Sequence, residues 1–156
     1  HSFGGRVGIV LASTNLQSLI SNLFLVDAAG LRIKTLKATI GGLIFDKLGF
    51  MKKYVPAAFK NLFGSADYRA AGPMRKIFVK VVNQDLSKEM SEVKCPTLII
   101  WGEKDMVLPM SQARKIKELI SDSVLRVVWG ADHWPHLSKP NEFLEIIDNF
   151  LHLPTP

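Results

Sequence analysis

His1-Ser2-Phe3-Gly4-Gly5 reads as the last part of a G-x-S-x-G turn without its first glycine. In such a turn a strand passes sharply into a helix, so the serine stands exposed at the strand's carboxyl end with its backbone strained. The small residues have a mechanical reason: Gly4 leaves room for the turn to close, and Gly5 lets the following helix pack near the sheet. Five residues alone read just as well as a Gly-rich loop entering an ordinary helix, so the assignment depends on what answers them downstream.

Two segments answer. Thr97-Leu98-Ile99-Ile100-Trp101-Gly102-Glu103-Lys104-Asp105 is an apolar, β-rich run that ends in a turn, which puts Asp105 just past a strand's carboxyl end. Gly130-Ala131-Asp132-His133-Trp134-Pro135 follows a second β-rich run, Val124 to Trp129, and puts His133 in the equivalent place. Both side chains thus fall where open α/β sheets build their sites, outside the carboxyl ends of parallel strands.

The chain resembles the C-terminal part of an α/β-hydrolase-fold enzyme. His1 to Gly5, Leu25-Val26-Asp27-Ala28-Ala29-Gly30, Leu98 to Asp105 and Gly130 to Pro140 carry the likeness, in the order Ser, Asp, His that elbow-type hydrolases use. The resemblance implies an α/β fold, a parallel sheet flanked by helices with a helical cap inserted, and a site of Ser2 as nucleophile, Asp105 as orienting acid and His133 as general base. A serine hydroxyl is a poor nucleophile at neutral pH until an imidazole accepts its proton, and the imidazolium needs a buried carboxylate to hold and stabilise it. The backbone N–H of Phe3 would be one oxyanion donor, at a helix N-terminus whose dipole also favours negative charge. Serine rather than aspartate at the elbow favours an acyl-enzyme that water resolves, without a cofactor. Leu25 to Gly30 looks most like members acting on small acyl or aryl-dienoate substrates.

The family's second oxyanion donor comes from a loop after an early strand, and neither that loop nor the strand leading into the elbow is in this sequence. The expectation is therefore a fragment whose sheet is completed by a missing N-terminal half or by a second copy. Three functions stay open: a serine hydrolase complete only with that half, a ligand-binding member of the fold without catalysis, and an inert fragment.

Composition narrows the classes. With 156 residues and 47% hydrophobic content the chain can bury one domain's core. No apolar run approaches the roughly 18 to 20 residues of a membrane span, and a cytoplasmic setting is expected. The net charge is +6, and the basic residues are scattered: ten of the twenty fall between Lys34 and Lys80, interleaved with apolar residues as on the wet faces of amphipathic helices, so no nucleic-acid partner is expected. The single cysteine, Cys95, allows no internal disulfide and reads as a small buried hydrophobe. The four histidines lack metal-ligand spacing with carboxylates, so no metal is expected.

Three parts follow: core over 1–30, a helical cap over 31–93, and core again over 94–156. Leu43 to Phe63 is rich in Phe and Leu, either as helix-packing surface or as the lining of a pocket over Ser2 for an apolar acyl group. Among rival candidates, Asp27 also ends a strand, where some members of the fold carry the acid, but Asp105 sits in the fuller match. His136 reads as a loop or surface residue, His152 as structural, and Asp132 as a turn residue.

Overall fold

The structure, a computed structural model, describes residues 1–32 and 72–152. The chain divides into two compact units, one of residues 1–31 and 84–156, the other of 32–83. Of the second unit the described part is a 3₁₀ turn, Gly72–Met74, running into helix α2, Arg75–Val82. The expected cap and the apolar stretch Leu43 to Phe63 lie largely or wholly outside the described residues.

The first unit is built on three parallel strands in the order β1 (Leu23–Val26), β2 (Thr97–Gly102), β3 (Ser123–Val128). Leu25 pairs with Ile99 and Ile99 with Leu125, so the three carboxyl ends line up on one edge. Every residue of β2 is buried, which is why Leu98 to Trp101 is an unbroken apolar run with no alternation.

Side chains of successive strand residues point to opposite faces, and each face has its own core. Leu23, Leu25, Ile99 and Trp101 pack with Ile9 and Ala12 of α1 (Phe3–Ala12), Met90 of α3 (Ser87–Glu92), and Ala113 and Ile116 of α4 (Met110–Leu119). Val26, Leu98, Ile100 and Val128 pack on the other face with Phe143, Ile146, Ile147 and Phe150 of α6 (Pro140–Leu151). Pro140 occupies the first turn of α6, where its missing N–H leaves no helical bond unmade. A short helix α5, Pro135–Ser138, precedes it.

Residues 84–93, grouped by sequence with the helical middle, pack in the first unit. Leu86, Met90 and Val93 are buried there, the Leu86 N–H donates to the Gly30 carbonyl at 2.9 Å, and the Arg6 guanidinium donates to the Gln84 carbonyl. Asp85 and Glu89 face Arg6 as well, while burial pulls its pKa below the usual arginine value. Cys95 is buried beside this segment and burial pushes its thiol pKa up, in keeping with a packing role.

Candidate functional site

The site lies at the carboxyl ends of β1, β2 and β3, and each strand delivers one loop to it. Ser2 is held beside β1: its N–H donates to the Val26 carbonyl at 3.1 Å, and its own carbonyl accepts from Gly5 at 3.1 Å and Ala29 at 3.0 Å. These bonds force φ 49° and ψ −119° on Ser2, a backbone conformation that a residue with a Cβ adopts only at a cost of about 1–3 kcal/mol. Serine at a helix N-cap usually turns its hydroxyl onto the helix's free N–H groups. Ser2 makes no such cap, and its Oγ faces His133 instead.

The glycines divide. A Cβ on Gly5 would lie 2.4 Å from the Ala28 Cβ, so close packing of α1 against the chain leaving β1 requires glycine there. A Cβ on Gly4 would meet nothing within 4 Å, so among the described residues the expected crowding at Gly4 is not found.

Asp105 is positioned by the turn after β2. Its Oδ1 accepts from the Val107 N–H at 2.7 Å and the Leu108 N–H at 2.9 Å, and the Trp101 indole N–H donates to the Leu108 carbonyl at 3.2 Å, pinning the turn to β2. His133 follows β3 on a loop fixed by the Lys104 N–H donating to the Ala131 carbonyl at 2.8 Å. Gly102 allows the two loops to meet, since a Cβ there would fall 2.0 Å from the Asp132 carbonyl oxygen.

The three side chains form one chain of contacts. His133 Nδ1 lies 2.8 Å from Asp105 Oδ2, and His133 Nε2 lies 3.1 Å from Ser2 Oγ. With the proton on Nδ1, the imidazole donates to Asp105 and leaves Nε2 free to accept from the Ser2 hydroxyl. The side chains of His133 and Asp105 are 5% and 1% exposed, so their interaction is shielded from water. Phe3 is the first residue of α1, and a helix's first N–H groups have no acceptor within their own helix.

The rival residues fall elsewhere. Asp132 is exposed, and its Oδ1 accepts from the Trp134 N–H at 2.9 Å as a turn residue does. His152, exposed at the end of α6, bonds the Asp148 carbonyl at 2.8 Å. His136 is half-buried in α5, with its ring 5.1 Å from that of His1 and 5.9 Å from Phe143. His1 also bonds the His133 carbonyl through Nε2 at 2.7 Å, bracing the loop of the central histidine, a contact between distant residues that no local pattern announces.

Asp27 belongs to the same cluster. It follows β1 with φ 40°, is fully buried, and accepts from the Gly102 N–H through Oδ1 at 3.0 Å. Oxygens of Asp27 and Asp105 and a ring nitrogen of His133 all lie within 4.8 Å of one another, close enough in principle for a metal ion. Both ring nitrogens of His133 are already engaged by Asp105 and Ser2, so an ion would have to displace one of those bonds. Sequence reading weighed Asp27 only as a rival acid. Asp27 and Asp105 each follow a strand, but only the pairing of those strands, β1 with β2, brings the two carboxyl groups together.

Residues 1–146 match the Alpha/beta hydrolase family. Among curated proteins, the mouse monoacylglycerol lipase ABHD6 is 35% identical over 81 residues, 49% of this chain and 24% of that protein. The 2-hydroxy-6-oxononadienedioate/2-hydroxy-6-oxononatrienedioate hydrolase of Escherichia coli K12 is 25% identical over 128 residues, 78% of this chain and 42% of that one. Among solved structures, a serine hydrolase involved in carbazole degradation superposes with a TM-score of 0.67 at 24% identity, covering 98% of this chain and 62% of that one. The chain thus spans less than half the length of these two curated relatives. No helix among the described residues is long and apolar enough to cross a membrane. On the extent of the family match and the parallel α/β architecture, the chain belongs to the α/β-hydrolase family.

Proposed function

We propose that this chain carries the acid, base and nucleophile of a serine hydrolase that cleaves an ester-like bond of a small, largely apolar substrate through an acyl-enzyme. The observation that carries the reading is the continuous contact from Ser2 Oγ to His133 Nε2 and from His133 Nδ1 to Asp105 Oδ2 at 3.1 and 2.8 Å. In this reading His133 takes the Ser2 proton as Oγ attacks the carbonyl carbon, Asp105 stabilises the imidazolium, and the Phe3 N–H receives the developing oxyanion. His133 then returns the proton to the leaving group, and a water activated by the same imidazole resolves the ester on Ser2. Full turnover also needs a second oxyanion donor beside the Phe3 N–H. Among the relatives are a monoacylglycerol lipase and a 2-hydroxy-6-oxononadienedioate/2-hydroxy-6-oxononatrienedioate hydrolase, both of which are hydrolases as this reading requires.

Hydrolysis of p-nitrophenyl acetate and butyrate beside a Ser2→Ala variant tests the reading. Turnover that disappears with the Ser2 hydroxyl supports it; turnover that survives, or a ligand bound without turnover, would replace it with another site or with a binding function.

A further inference from the structure

Asp27 poses a physical problem that the proposed mechanism does not use. Its side chain is buried, its Oδ1 is satisfied by Gly102, and its Oδ2 has no hydrogen-bond partner among the described residues. A buried carboxylate oxygen without a donor is costly. The group it faces is the Asp105 carboxylate, itself an acceptor whose oxygens are taken by Val107, Leu108 and His133. Two acceptors repel unless one carries a proton, and then the orphaned oxygen becomes a donor.

The backbone shows that this meeting is built in. Among the described residues Ser2 and Asp27 are the two non-glycine positions with positive φ, and both lie in this cluster. The Asp27 N–H donates to the Ile100 carbonyl at 2.9 Å, so Asp27 is clamped to β2 through both its main chain and its Oδ1. Backbone strain held by such clamps clusters at active sites.

Resting on the triad reading above, we infer that Asp27 is a positioning residue: a neutral carboxylic acid whose Oδ2–H donates to the Asp105 carboxylate and holds it against His133. Burial pushes the Asp27 carboxyl pKa up to about 8; the Gly102 N–H opposes this, and Asp105 and Asp132 add to it. The titratable groups facing Asp27 are Asp105 after β2 and Asp132 and His133 after β3; from α1, Gly5 packs on the neighbouring Ala28. Below about pH 8 the site thus holds one negative charge beside His133. Above it a second charge forms and the Oδ2–H that holds the Asp105 carboxylate is lost.

Two readouts test this on the protein with Asp27→Asn and Asp27→Ala. Asparagine keeps an acceptor for Gly102 and a donor for Asp105, so Asp27→Ala is expected to lose about tenfold in kcat and Asp27→Asn to recover most of that loss. The wild type should lose activity as pH rises through about 8, and Asp27→Asn should not. The second readout needs no activity. Because the folded state keeps a proton that the unfolded chain gives up near 3.8, wild-type stability should fall relative to Asp27→Asn as pH rises from about 4 to about 8.

Equal losses in the two variants, or parallel stability-versus-pH curves for wild type and Asp27→Asn, would overturn the inference. So would activity that survives Asp105→Asn but not Asp27→Asn, which would make Asp27 the orienting carboxylate itself. Turnover that persists in Ser2→Ala would sink the triad reading instead, while the stability curves still report whether Asp27 holds its proton.

Discussion

Gly102→Ala tests how the site is assembled without touching any residue that reacts. The Cβ it adds would lie 2.0 Å from the Asp132 oxygen, 2.8 Å from the Ala131 oxygen and 2.9 Å from the Asp132 carbonyl carbon. All three are backbone atoms, so no side chain can rotate away. Ordinary contact begins at 3.4 Å, so the Asp132 carbonyl has to retreat by 3.4 − 2.0 = 1.4 Å, or β2 has to move by as much. Neither movement is free: Lys104 and Glu103 bond the Ala131 and Val128 carbonyls at 2.8 and 3.0 Å, and the Gly102 N–H is held by Asp27. Overpacking of this kind costs about 1–3 kcal/mol. The residue next to the displaced carbonyl is His133, and a misplacement of about 1 Å at a reacting group costs on the order of 10²-fold in rate. Gly102→Ala is therefore expected to lower kcat on p-nitrophenyl butyrate about a hundredfold with a smaller change in KM, and to lower the melting temperature. Gly4→Ala is the matched control for stability, because its Cβ meets open space in a helix and should leave the melting temperature unchanged or raise it. A Gly102→Ala protein with wild-type kcat and melting temperature would refute the view that this close approach sets the position of His133.

Further outcomes follow from the same geometry. Gly5→Ala should destabilise the first unit by about 1–3 kcal/mol in urea unfolding, since its Cβ would overlap Ala28. Arg6→Ala should cost about 2 kcal/mol by the same assay, because it removes a charged donor from the Gln84 carbonyl. Asp105→Asn should lower kcat by on the order of 10⁴-fold while leaving the fold intact, through loss of the charge opposite His133 Nδ1. Prolonged EDTA treatment should leave hydrolysis unchanged; a loss restored by a divalent ion would assign the Asp27, Asp105 and His133 cluster to a metal.

The sequence made the sheet legible because parallel strands covered on both faces are spelled as unbroken apolar runs, and Leu98 to Trp101 is such a run. The position of Asp105 was legible because it comes three residues after Gly102, the last of β2, and that of His133 because its loop follows the β-rich segment Val124 to Trp129, although β3 is interrupted by the exposed Arg126. Asp27 was visible as a strand-end acid, yet its approach to Asp105 depends on the pairing of Val26 with Ile100 and on a left-handed φ at an aspartate, neither of which has a local signature. The placement of residues 84–93 escaped for a similar reason. A six-residue helix shows too little periodicity to reveal that Met90 belongs to the core under β1 and β2. Gly4 and Gly5 look equivalent in the sequence, and only the packing separates a required glycine from one that faces open space.

The most direct measurement is covalent labelling by a fluorophosphonate, with the modified peptide mapped by mass spectrometry in the wild type, His133→Ala and Ser2→Ala. An activated Ser2 predicts one adduct, on Ser2, that is lost in Ser2→Ala and slowed by at least about a hundredfold in His133→Ala. Labelling at another residue, or at Ser2 with the same rate when His133 is absent, would contradict the account.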